Sequence, residues 1–70
     1  MHITNREKQV LHLVAYEYST KEIAQELYLS AETVITHRKN IMVKLGVRNA
    51  AGMVRAAFER SLLSINPINA

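Results

Sequence analysis

The 70-residue chain contains no cysteine and no tryptophan, and it has only one proline and two glycines. Without cysteine, neither a disulfide nor a thiolate metal site can support the fold. The three histidines, His2, His12 and His37, do not have the spacing that metal ligands share in known motifs. We therefore expect neither a metal nor a cofactor.

Long apolar runs and catalytic groups are lacking as well. No run approaches the roughly 20 apolar residues of a transmembrane helix, and no signal peptide is visible. We expect a cytoplasmic location and no membrane partner. No carboxylate pair, nucleophile–base pair or glycine-rich phosphate loop is visible, which argues against an enzyme. A hydrophobic fraction of 49% favours one small folded domain over disorder.

Acidic residues are absent from a long middle segment. Neither Asp nor Glu occurs between Glu32 and Glu59, whereas this segment contains five basic residues, namely Arg38, Lys39, Lys44, Arg48 and Arg55. An ordinary solvated helix interleaves acids with bases, so the segregation of charge favours an anionic partner. The net charge of +3 agrees with such a partner.

Capping residues and hydrophobic periodicity predict four helices and no strand. Thr4 and Ser19 each begin a capping box, Ser30 caps the third helix, and Asn49 caps the fourth. The predicted helices cover residues 4–16, 20–27, 30–45 and 50–60. We assign residues 1–63 to one all-α, four-helix domain and residues 64–70 to a frayed tail.

The third predicted helix has two different faces. Val34, Ile41 and Leu45 share its apolar side, and Glu32 lies in the first turn, where the helix dipole favours an acid. The other side carries hydrogen-bonding and cationic groups. Two short helices joined by a short turn, the second one cationic, form a helix-turn-helix, here at about residues 20–39. Such a helix suits the major groove of DNA.

Short motifs follow one another in a fixed order along nearly the whole chain. They include Ile3-Thr4 with Arg6-Glu7, Lys21-Glu22-Ile23-Ala24, Leu29-Ser30, Thr33-Val34 with His37, and Lys44-Leu45-Gly46-Val47. Together they resemble the LuxR-type (GerE, FixJ, NarL-like) DNA-binding domain of bacterial transcription regulators. The resemblance covers about residues 3–63, and it implies a response-regulator output domain whose third helix enters the major groove of double-stranded DNA.

The resemblance also implies the contacts of individual residues. It places base contacts at Ile35, Thr36 and Lys39. It places contacts to the DNA backbone at Thr20, Lys21, Thr33 and His37. Three residues on the flanks of the third helix are further predicted backbone contacts, namely Arg38, Asn40 and Lys44. RNA polymerase and a regulatory domain on the N-terminal side are further candidate partners.

The resemblance implies that two copies pair through the fourth helix on DNA. Periodicity places Val54, Ala57 and Phe58 on the inner side of that helix, with Met53 at its border. The predicted dimer interface is then the opposite side, namely Gly52, Arg55, Ala56 and Glu59. Such a patch falls below the roughly 1,000 Å² of a stable interface, so we expect a dimer on DNA that is weak in solution.

Some residues depart from the family pattern or allow two interpretations. The family usually has lysine where this chain has Ile35, which either contacts thymine methyl groups or is an inert surface residue. It usually has glycine at Glu17, so the loop there is expected to differ. Thr33 contacts either its own backbone or a phosphate, and His37 is more readily a core-edge residue than a base reader.

Two other classes of function compete with DNA binding. The first is a helix-turn-helix protein-interaction module with little intrinsic DNA affinity. The presence of Ile35 in place of the lysine usual in the family favours this alternative. An RNA-binding domain is less favoured, because the basic face has no aromatic residues on which bases could stack.

Overall fold

The computed structural model describes residues 2–63, which form four α-helices and contain no strand. The helices are α1 (Asn5–Ala15), α2 (Thr20–Leu27), α3 (Ala31–Leu45) and α4 (Ala50–Glu59). The predicted four-helix, all-α fold is therefore confirmed, with each end within a residue of its predicted position. The predicted tail at 64–70 lies outside the described residues. No helix in the described part is long and apolar enough to cross a membrane.

Side-chain caps close the start of every helix. Thr4 Oγ1 accepts a hydrogen bond from the Glu7 N–H at 3.0 Å, and the Glu7 carboxylate accepts one from the Thr4 N–H at 2.9 Å. Ser19 and Glu22 repeat this reciprocal pair at α2. Ser30 and Asn49 cap α3 and α4 by a single bond each. Because a cap contributes about 1 kcal/mol, these local bonds set where each helix begins.

Helix α3 packs against each of the other three helices, whereas α2 and α4 share no contact within residues 2–63. The largest fully buried side chains come from all four helices: Val10, Leu11, Ile23, Val34, Ile41 and Met53. The apolar stripe of α3 thus forms the middle of the core, and its opposite face is left to solvent.

The predicted orientation of α4 is wrong. Its buried residues are Met53, Ala56 and Ala57, whereas Phe58 is 36% exposed and Val54 is half-buried. Ala56 therefore cannot belong to a dimer interface, because only 5% of it is exposed. This helix is apolar on nearly every side, so its periodicity alone does not show which side faces the core.

The other three predicted interface residues have local partners of their own. A Cβ placed on Gly52 would lie 3.0 Å from Cβ of Val47, so Gly52 serves the close packing of the α3–α4 corner. Arg55 and Glu59 are exposed and pair within α4, with Nη1 and Oε2 3.2 Å apart. The solvent-facing side of α4 instead carries Ala51, Arg55 and Phe58, with half-buried Val54 at its border.

Each helix is followed by a residue in the left-handed region. These residues have φ angles of 67°, 56°, 70° and 58°, at Glu17, Tyr28, Gly46 and Ser61 respectively. In each case the next N–H donates to the carbonyl five residues earlier, at 2.8–3.0 Å, as in the Schellman motif. Only one of the four is glycine, and Glu17 keeps a positive φ although it replaces the glycine usual in the family.

Replacing Tyr28 with glycine should stabilise the fold. The Tyr28 side chain is 95% exposed, so little packing is lost, while the left-handed backbone is relieved of a strain of about 1–2 kcal/mol. Part of that gain is offset by the greater freedom of glycine in the unfolded chain. We expect the free energy of unfolding to rise by about 0.5–1 kcal/mol, measured by urea denaturation. Tyr28→Ala keeps the Cβ and should give no gain; equal stability of the two variants would contradict this account.

Candidate nucleic-acid interface

The solvent-facing side of α3 collects the residues that the sequence assigns to base contacts. Thr36 and Lys39 are exposed, and Ile35 is 52% exposed. All three lie opposite the buried stripe, and Val43, 67% exposed, extends the same face by another turn. The structure therefore brings the three predicted base readers together on one surface that a groove can receive.

The predicted backbone-contact residues lie at the edges of this face. Asn40 is exposed, while His37 and Arg38 are half-buried at its two borders. At the start of α2, which packs on α3, Lys21 is exposed and Thr20 is half-buried. These positions leave hydrogen-bonding groups on both sides of the exposed face, whereas the half-burial of His37 agrees with a core-edge residue.

Thr33 takes part in the cap of α3. Ser30 Oγ accepts a hydrogen bond from the Thr33 N–H at 3.1 Å and donates its own proton to Thr33 Oγ1 at 2.8 Å. Because Thr33 Oγ1 is the acceptor of this bond, its own hydroxyl proton can still be donated outward. Thr33 is an exposed residue, so capping and a phosphate contact are compatible here.

Lys44, predicted as a contact to the DNA backbone, forms an ion pair within the protein that competes with such a contact. Its Nζ lies 2.7 Å from Oε1 of Glu7, with the two side chains 25% and 5% exposed. Burial raises the pKa of Glu7, but the hydrogen bonds from Lys44 and from the Thr4 N–H outweigh this effect and hold it below its usual value. The pair joins α1 to the C-terminal half of α3, and a phosphate would have to break it.

Arg60 provides a second connection to the same end of α3. Its Nη2 donates to the Leu45 carbonyl at 3.2 Å, where a cation is also favoured by the helix dipole. This contact of Arg60 could not be predicted from the sequence, because no local pattern links it to a carbonyl 15 residues earlier. With Lys44, it holds the C-terminal end of α3 against α1 and α4.

Arg48 belongs to the acid-free segment but was not among the residues predicted to contact DNA. It is exposed, and it lines an open depression at the α3–α4 corner together with Arg55. No acidic residue lines this depression. The feature of the sequence that could have identified Arg48 as a DNA contact is its place in the acid-free segment, two residues after the glycine that ends α3.

Among residues 2–63, no cluster of His, Asp or Glu is arranged to hold a metal.

Comparison with known proteins gives consistent matches. The family model described as bacterial regulatory proteins, luxR family, matches residues 1–57. The transcriptional regulatory protein MctR of Rhizobium johnstonii is 40% identical over 62 residues, which are 89% of this chain and 29% of MctR. The oxygen regulatory protein NreC of Staphylococcus aureus is 39% identical over 61 residues, which are 87% of this chain and 28% of NreC.

Two solved structures have the same fold. The structure of the transcription factor GerE superposes with a TM-score of 0.83 at 34% identity, covering 87% of this chain and 91% of GerE. The response regulator ChrA of a heme-sensing two-component system gives a TM-score of 0.87 at 32% identity, covering 90% of this chain and 31% of ChrA. The chain therefore spans less than a third of MctR, NreC and ChrA, and most of GerE.

Removing the charge of Glu7 should destabilise the fold in a pH-dependent way. Glu7→Gln keeps an oxygen for the cap but loses the ion pair with Lys44, so we expect a cost of about 1–3 kcal/mol at pH 7. Because the folded-state pKa of Glu7 is lowered, its contribution is complete above the ordinary pKa and is lost as the pH falls through the folded value. The difference in unfolding free energy between wild type and variant should shrink accordingly below about pH 4.5.

Glu22→Gln is the matched control, because Glu22 has the same position in the α2 capping box but takes part in neither ion pair of residues 2–63. It should cost clearly less. Equal costs for the two variants, measured by urea denaturation at several pH values, would show that the pair with Lys44 contributes little.

Proposed function

The chain is a helix-turn-helix DNA-binding domain of the luxR family of bacterial regulatory proteins, and we propose that it binds duplex DNA with α3 in the major groove. The family consists of transcription regulators and not of enzymes. The observation that carries the proposal is the exposed face of α3, which presents Thr36, Lys39 and Asn40 opposite a fully buried stripe.

The base contacts come from the middle of that face. Lys39 donates to the O6 and N7 acceptors of guanine, and Thr36 donates to or accepts from a base edge. Ile35, which replaces a cation usual in the family, packs against the methyl group of a thymine. This set distinguishes base pairs by hydrogen bonds at two positions and by apolar contact at a third.

Contacts to the phosphates flank the groove on both sides. On one side lie Thr20, Lys21 and Thr33, at the starts of α2 and α3. The borders and far end of α3 contribute His37, Arg38 and Asn40. Because Lys44 is paired with Glu7, we assign the cation beyond the end of α3 to the exposed Arg48. These contacts position the domain and make binding depend on salt.

Two copies bind neighbouring half-sites through the solvent-facing side of α4. Ala51 leaves room for the backbone of a second copy, and Phe58 and Val54 supply apolar surface beside it. One short helix buries too little area for a stable dimer in solution. On DNA the adjacent half-site provides a high effective concentration, so the same contact suffices there.

The domain serves as the output part of a larger regulator. MctR and NreC are more than three times as long as the segment that matches this chain, and ChrA is a response regulator of a two-component system. We infer a regulatory domain on the N-terminal side, action in the bacterial cytoplasm, and contact with RNA polymerase at the promoter. A protein-interaction module that does not bind DNA is the competing function. It would be favoured if the affinity for duplex DNA were negligible at low salt or did not change with salt concentration.

Binding to duplex DNA should weaken steeply with salt. If Lys21, Arg38, Lys39 and Arg48 each neutralise about one phosphate, the logarithm of the binding constant of one subunit falls against log salt with a slope near −3 to −4. Arg48→Ala should weaken binding to every sequence and make the slope about 1 unit shallower, whereas Lys39→Ala should mainly lose preference at one base position. Lys8→Ala, which removes an exposed cation from α1, is the control. Absence of binding at low salt, or a flat response to salt, would overturn the proposal.

Placing a carboxylate on α4 should abolish cooperativity without harming the fold. Ala51 is exposed in the first turn of α4, where an acid is favoured by the helix dipole. In Ala51→Glu, two carboxylates face each other across the dimer axis and repel. Electrophoretic titration of one-half-site and two-half-site duplexes should show lost cooperativity and nearly unchanged single-site binding. Gln9→Glu on α1 makes the same change in charge as a control; retained cooperativity in Ala51→Glu would exclude this interface.

A further inference from the structure

Glu32 is the single acidic residue of α3, and it lies on the face proposed to enter the groove. It is exposed in the first turn of the helix. Thr36 and Lys39 follow it at i+4 and i+7, which places all three on one line along the helix surface. An acid in this position would repel the phosphates of any duplex that α3 approaches.

No contact within the described protein accounts for this acid. The two ion pairs of residues 2–63 join Lys44 to Glu7 and Arg55 to Glu59, and Glu32 belongs to neither. Interaction with the helix dipole contributes only about 0.3–1 kcal/mol at an exposed site. Every other charged residue of α3 is a cation, so Glu32 opposes the charge of the surface that surrounds it.

We propose that the Glu32 carboxylate accepts a hydrogen bond from the N4 amino group of a cytosine, and that Glu32 is a specificity-determining residue of this domain. The inference rests on the proposed function. A carboxylate is the side chain suited to the cytosine amino group in the major groove, and the first residues of a recognition helix are those that reach base edges. The amino group offsets the repulsion only where a cytosine is present, so the acid penalises other bases.

The spacing along α3 predicts where this cytosine lies. At a rise of about 1.5 Å per residue, Glu32 lies about 6 Å from Thr36 and about 10.5 Å from Lys39 along the helix axis. Successive bases on one strand are about 3.4 Å apart. The cytosine should therefore lie about two base pairs from the position that Thr36 contacts and about three from the position that Lys39 contacts.

The test is selection of bound sequences from a random duplex pool, carried out with wild type, Glu32→Ala and Glu32→Gln. Wild type should select a cytosine at one position, and Glu32→Ala should lose that preference by about tenfold or more while binding random DNA more tightly. Because glutamine pairs with adenine in the major groove, Glu32→Gln should shift the preferred base at that position from cytosine towards adenine. The other positions should stay the same in both variants.

Glu26→Ala is the matched control, because it also removes an exposed acid, but from α2 rather than from α3. It should leave the selected sequence unchanged. If Glu32 serves only the helix dipole, its variants keep the base preferences of wild type, and this result would overturn the inference while leaving the proposed function intact. If wild type itself binds no duplex, the proposed function fails instead.

Discussion

The burial of one stripe of α3 against three other helices is the constraint on which the rest of the structure depends. Val34 and Ile41 are completely buried, and the helix contacts α1, α2 and α4. A helix held on three sides cannot rotate about its axis without exposing this stripe, at a cost of about 1.5–3 kcal/mol for each large apolar side chain. The side chains on its remaining face are therefore held in one orientation, as the proposed recognition of base edges would require.

Two cations connect the C-terminal end of α3 to the neighbouring parts of the chain. Lys44 pairs with Glu7 of α1 at 2.7 Å, and Arg60 donates to the last carbonyl of α3 at 3.2 Å. The Glu7 carboxylate therefore has two tasks, since it also caps α1. The buried Glu7 side chain takes part in both the capping box of α1 and the ion pair with Lys44. It therefore connects the start of α1 to the end of α3.

The helices could be predicted from the sequence because their signals are local. A capping serine or threonine and the glutamate three residues later lie within one turn, so each pattern is visible in a few letters. The role of Lys44 was not predictable in this way, because its partner lies 37 residues away and only the folded chain brings the two together.

The orientation of α4 was also beyond the sequence, for a different reason. Its ten residues AAGMVRAAFE include two charged side chains, so several rotations about the axis place apolar residues against the core. Within residues 2–63, α4 packs against α1 and α3 but not against α2, so one side of it is covered; Met53 lies on that side and Phe58 is partly exposed. Tertiary packing therefore determines which side of α4 faces the core.

The distribution of cations gives a physical reason for the proposed pairing of two copies on DNA. Lys44 and Arg60 make contacts within the fold, and Arg55 pairs with Glu59. The cations left near the proposed groove surface are Lys21, Arg38, Lys39 and Arg48. Since non-specific affinity comes from neutralised phosphates, we expect a single subunit with so few cations to bind one half-site weakly. The proposed contact through α4 would multiply the affinity without further charge, and occupation would then depend on the spacing of the half-sites as well as on their sequence.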